Sequence, residues 1–116
     1  MKISDVVEVL GCSVICGEQF LDLEVDNAFG SDMMSDVLAY VKPTTLVLTG
    51  MVNSHVIRTA EMLEIRCILF VRGKVVTEDL IEHAKQNDLV LLSTPMTLYE
   101  ACGKLYSKGM PPCSKE

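Results

Sequence analysis

A chain of 116 residues, 49 % hydrophobic and 22 % charged, is sized and composed for one globular domain with its own core. Its formal charge of −6 argues against nucleic acid or an anionic membrane surface as the main partner. Aromatics are scarce and Trp is absent, so the core must be aliphatic, with seven Met as pliable filler.

Ser4 stands where it would cap a short helix over Asp5–Leu10, with Val6, Val7, Val9 and Leu10 as its apolar face and Gly11 as its stop. A strand at Ser13–Cys16 follows. Gly17-Glu18-Gln19 reads as a turn, and Leu21, Leu23 and Val25 alternate with acids in a half-buried extended piece. Gly30-Ser31-Asp32 then opens a helix to about Val41, with Met33, Met34, Val37, Leu38 and Val41 facing in; Pro43 stops it.

From Thr45 onward the pattern is strand then helix, repeated. The apolar runs Leu46–Thr49, Cys67–Val71 and Leu89–Ser93 recur at a spacing of about two dozen residues. Each feeds a small or polar turn: Gly50–Ser54, Arg72-Gly73-Lys74 and Ser93-Thr94-Pro95. Amphipathic stretches follow. Ser54 is placed to cap Val56–Leu63, Thr77 to cap Glu78–Gln86, and Thr97 with Glu100 forms a capping box for a helix lined by Leu98, Ala101, Cys102, Leu105 and Tyr106. Gly109 ends it. Residues 1–109 therefore read as one domain and 110–116, with adjacent prolines, as a flexible tail. Alternation of this kind predicts an α/β three-layer sandwich: a mostly parallel sheet of about five strands flanked by helices.

Five Cys without C-x-x-C or zinc-type Cys/His spacing are expected to be reduced, mostly buried thiols of a cytoplasmic protein. Cys12 and Cys16 lie four strand steps, roughly 13 Å, apart, too far to share a metal. The N-terminus lacks a signal-peptide pattern, and no apolar run reaches membrane-spanning length.

Motifs that would carry chemistry are mostly absent from the sequence. There is no phosphate loop, no G-x-G-x-x-G and no G-x-S-x-G. Asp32 and Asp36 are a helical turn apart but lack a third metal ligand. His83 reads as an exposed helix residue, whereas His55 falls at a helix N-terminus just beyond the Gly50 turn. No nucleophile–base pair is visible, so no catalytic residue, metal or cofactor is assigned.

Gly17–Val25 followed by Ser31–Ala39 resembles the small DRTGG domain in its stand-alone form, and Leu46–Gly50, Ile68–Gly73 and Leu91–Thr94 with Thr97 and Glu100-Ala101 match its layout. Related domains occur in HPr kinase/phosphorylase, in phosphotransacetylases and between CBS domains of some pyrophosphatases. The resemblance implies an α/β fold, a regulatory or structural role at a subunit interface, and no catalytic residues. Stand-alone members accompany iron-hydrogenase and redox genes, which implies a redox-enzyme partner. The chain departs from the family at two turns. Gly50 is followed by Met51-Val52-Asn53 where many members have Gly-Asp-Arg, and Val71-Arg72-Gly73-Lys74 stands where Thr-Gly-Gly is usual.

The expected function is a non-catalytic, homodimeric regulatory module. A small anionic ligand, a nucleotide among the candidates, would bind at the C-terminal edge of the sheet. The candidate residues come from three turns: Gly50, Asn53, Ser54 and His55; Arg72, Gly73 and Lys74; Ser93, Thr94 and Thr97. Arg72-Gly73-Lys74 is expected to face Asn53-Ser54-His55 across neighbouring turns. The alternative is an adaptor that docks a redox enzyme through Glu18, Asp22, Glu24 and Asp26, part of a segment without Lys or Arg.

Overall fold

The computed structural model describes residues 1–113. Five helices and five strands follow in the order α1 (Ile3–Leu10), β1 (Ser13–Cys16), β2 (Asn27–Gly30), α2 (Met34–Tyr40), β3 (Thr45–Thr49), α3 (Ser54–Leu63), β4 (Cys67–Phe70), α4 (Glu78–Gln86), β5 (Val90–Ser93) and α5 (Leu98–Ser107). They build one mixed sheet in the order β1-β5-β4-β3-β2. Strands β2 to β5 are parallel, and β1 runs antiparallel to β5 with a bulge between Val14 and Cys16. The predicted sandwich of a mostly parallel five-stranded sheet is the fold observed.

Side-chain alternation along the buried strands sorts two cores. Val47, Ile68, Phe70 and Leu91 meet the apolar faces of α2, α3 and α4. Leu46, Leu48, Leu69, Val90 and Leu92 point the other way, toward α1 and α5. Every residue of β3 and β4 is buried, which is why Leu46–Leu48 and Cys67–Phe70 are apolar without interruption. Truncating Leu48 or Leu69, both 0 % exposed, would cost about 2–5 kcal/mol.

Several local expectations are corrected. Leu21, Leu23 and Val25 form no strand: Glu18–Phe20 is a 3-10 turn and the following chain is an irregular strap. The strand lies just beyond it, at Asn27–Gly30, paired in register with Thr45–Leu48. The strap continues from β1, whose antiparallel course ends at the N-terminal edge of the parallel strands. It is tied there by the amides of Ile3 and Ser4, which donate to Leu23 and Leu21 carbonyls at 3.0 and 2.9 Å. Helix α1 begins at Ile3, not after Ser4; Asp5 Oδ2 accepts the Lys2 amide at 2.9 Å and closes its first turn. On α2, Met34 and Val37 are buried but Met33 and Leu38 face out, because a seven-residue helix buries a narrow stripe. Asn53, rather than Ser54, caps α3, its Oδ1 accepting the Val56 amide at 3.0 Å. Thr77 flanks α4 without a side-chain cap bond, whereas the Thr97–Glu100 capping box forms as predicted. Tyr106 is exposed instead of lining the core.

Met110–Cys113 is not a loose tail. Met110 and Cys113 are buried, the Ala28 amide donates to Pro111 O at 3.1 Å, and the Cys113 amide donates to Ala28 O at 2.9 Å. The segment thus pairs along the outer side of β2. Residues 114–116 of the expected tail lie outside the described residues.

Gly17 is required where β1 turns into the strap. It adopts φ +90°, and a Cβ there would sit 2.8 Å from Val90 Cα.

Candidate functional site

The four parallel strands end in turns on one edge, each followed by a helix whose N-terminus opens there. Asp32, from the turn after β2, organises this rim. Its Oδ1 accepts hydrogen bonds from the Gly50 amide at 2.8 Å and from Thr49 Oγ1 at 3.0 Å. Its other oxygen, Oδ2, lies 3.9 Å from Arg72 Nη2. Both side chains of that pair are more than two-fifths exposed, so the pair contributes at most about 1 kcal/mol.

Arg72 adopts φ +65°, a left-handed conformation that costs a non-glycine residue roughly 1 kcal/mol. Its amide donates to Met96 O at 2.8 Å, and the Gly73 amide donates to Thr94 O at 2.9 Å, so the turns after β4 and β5 prolong the sheet ladder. The guanidinium lies across Gly50, with Cζ 2.5 Å from where a Cβ would stand. Arg72 therefore meets Gly50, at the start of the turn that leads to Asn53-Ser54-His55, and Asp32.

The other candidates divide by what they already bond. Asn53 Oδ1 is committed to the α3 cap. Thr94 is fully buried, and its Oγ1 accepts the Met96 amide at 3.3 Å. Thr97 Oγ1 accepts the Glu100 amide at 3.4 Å and donates to Glu100 Oε1 at 3.1 Å. The Glu100 carboxyl is held below its ordinary value, chiefly by the Thr97 amide that donates to it and then by the Thr97 hydroxyl. Ser93 is half-buried at the end of β5, and Ser54, His55, Gly73 and Lys74 are exposed. Asp32 is the rim residue that sequence reasoning did not place in the ligand set. Its one signal was a carboxylate just before a helix, and the bond that matters spans 18 residues.

The thiols are quiet. Burial raises the Cys12 pKa to about 11 and pushes Cys16, Cys67 and Cys102 up as well. Among the described residues no cluster of three or more His, Cys, Asp or Glu could hold a metal, and no helix is long and apolar enough to cross a membrane. His83 is half-buried rather than exposed, with Nε2 3.2 Å from Glu61 Oε1.

A cleft of about 350 Å³ lies not at the rim but at the opposite edge of the sheet, between the strap and the ends of α3 and α4. Glu18, Asp22, Glu24 and Asp26 are exposed along that strap. Arg72 and Lys74 thus lie at one edge of the sheet and the acidic strap at the other.

The family model of the DRTGG domain matches residues 5–107. A crystal structure of the CBS and DRTGG domains of the regulatory region of Clostridium perfringens pyrophosphatase, complexed with its activator diadenosine tetraphosphate, superposes with a TM-score of 0.72 at 15 % identity. The alignment covers 99 % of this chain and 51 % of that one, so this chain spans about half its length. No curated protein matches the sequence.

Proposed function

The chain belongs to the DRTGG domain family, and from that premise we propose that it is a non-catalytic regulatory module whose C-terminal rim takes a small phosphate-bearing anion. The observation that carries this reading is Arg72. A cation is held in a strained backbone conformation, laid over a glycine and steadied by one weak carboxylate contact, with its guanidinium half-exposed. An anion of two charges would compete well with Asp32 for that fork, because guanidinium binds phosphate in a bidentate manner. Lys74 is exposed two residues on, and the helix N-termini of the rim add positive potential. The related pyrophosphatase region binds a nucleotide activator, which makes nucleotides the first class to try.

Met33, Met51, Val75 and Tyr99 are exposed in turns or first helical turns at the same edge, and these apolar side chains support a second copy as the rim's neighbour. The test is calorimetric titration of the full chain with inorganic phosphate, AMP, ATP and diadenosine tetraphosphate, beside light scattering. Saturable binding that Arg72→Gln abolishes supports the proposal. Absence of heat across the panel at millimolar concentration overturns it.

The exposed acids of the strap favour a second reading, an adaptor that docks a basic face of a redox enzyme. Capture of such an enzyme that survives Asp22→Asn with Asp26→Asn, or high salt, would exclude it.

A further inference from the structure

The cleft at the N-terminal edge has no part in the rim chemistry. Its floor is apolar: Ala60, Ile65 and Leu89 are buried, with Phe20 and Leu23 of the strap forming one wall. Its mouth is anionic. Glu64 and Asp88 line it, with Glu61 facing His83 at 3.2 Å, and the basic residue in its lining is Arg66, whose Nη1 is turned to donate to the Glu24 carbonyl at 2.8 Å. Helices α3 and α4 both end here, so the negative ends of two helix dipoles add to these carboxylates. Glu64 and Asp88 stand in the left-handed region, at φ +56° and +53°, each in the turn that leads from a helix toward a strand.

A volume of about 350 Å³ falls within the range of small-molecule pockets. An apolar floor beneath a mouth of one sign selects for a ligand with an apolar body and a single opposite charge. We infer that this cleft is a second binding site, for a small organic cation carrying an ammonium or guanidinium group on an apolar body. The body lies on Ile65 and Leu89 against Phe20, and the cation sits between Glu64 and Asp88.

The site stands apart from the anion reading of the rim, and its experiment does not involve Arg72. The full chain, labelled with nitrogen-15, is titrated with phenethylamine and separately with phenylacetate, which shares the ring and reverses the charge. Saturable amide shifts at Glu64–Arg66 and Asn87–Leu89 are expected with phenethylamine alone. Glu64→Gln combined with Asp88→Asn should weaken that binding by about tenfold. Both changes keep side-chain shape, and Asn tolerates the left-handed region at least as well as Asp, so the fold is spared. The proposal is overturned if phenethylamine gives no saturable shift at these amides. It is equally overturned if phenylacetate binds as tightly or the double variant binds unchanged.

Discussion

The Gly50 amide and Asp32 Oδ1 are joined at 2.8 Å across 18 residues of sequence, and Thr49 Oγ1 donates to the same oxygen. Thr49 and Gly50 are both buried, so this carboxylate satisfies two donors that water does not freely reach. Asp32→Ala should therefore destabilise the fold by about 2 kcal/mol, while Asp32→Asn, which keeps an acceptor oxygen, should cost less than about 1 kcal/mol. Urea denaturation distinguishes the two, and equal midpoints for both variants would contradict the assignment.

Arg72 stores strain that the fold does not need. Arg72→Gly relieves the φ +65° conformation and should raise stability by up to about 1 kcal/mol while abolishing binding to the phosphate panel. Thermal melts read the first effect and calorimetry the second. A variant both less stable and still binding would rule out this account of the residue.

Gly50→Ala probes the same contact from the other side. The atoms nearest the new Cβ are all at the far end of Arg72, a flexible group, so stability should fall by less than about 1 kcal/mol. The displaced guanidinium should nevertheless lose its bound anion. Calorimetry showing wild-type affinity would mean that Arg72 need not rest on Gly50 to bind.

Removal of residues 110–116 should cost about 2–4 kcal/mol. It strips buried Met110 and Cys113 from the core and leaves the Ala28 amide and carbonyl unpaired. The exposed outer side of β2 should also make the truncated chain scatter more light than the parent as concentration rises. Unchanged melting and scattering would show that the pairing contributes nothing.

Alkaline pH should weaken the protein through its thiols. The folded state holds Cys12 at about 11 against an ordinary 9.0, because burial disfavours the thiolate. A raised pKa stabilises fully below the unfolded value and is lost as pH climbs from 9.0 toward 11. Melting temperature should drop over that window, and less steeply in Cys12→Ala than in the parent. Glu100 acts in the opposite direction. Its depressed value favours the fold above the ordinary 4.5 and ceases to do so as pH falls through the folded value.

Strands β3, β4 and β5 were legible because burial on both faces demands unbroken apolar runs, and Leu46–Thr49 or Leu89–Ser93 admit little else. Strand β2 was not. Asn27-Ala28-Phe29-Gly30 has poor strand character and becomes a strand only by pairing with Thr45–Leu48 and with the segment after α5. The strap misled for the opposite reason: Leu21, Leu23 and Val25 alternate, yet their backbone bonds go to the N-terminus and α1, not to a sheet. At the rim, Arg72 stood out as a cation in an acidic chain. Its contacts with Gly50 and Asp32 did not, since they depend on strand order, which local pattern does not encode.

The strand ladder now has two unlike sides. Along β2 the backbone groups of Ala28 are taken by Pro111 and Cys113, whereas β1 ends the sheet with its outer side unpaired among the described residues. In the language of polymers, the described part of the ladder has a valence of one: were two copies to join through β1, each would use up the one open side found among its described residues, and strand addition would stop at that pair.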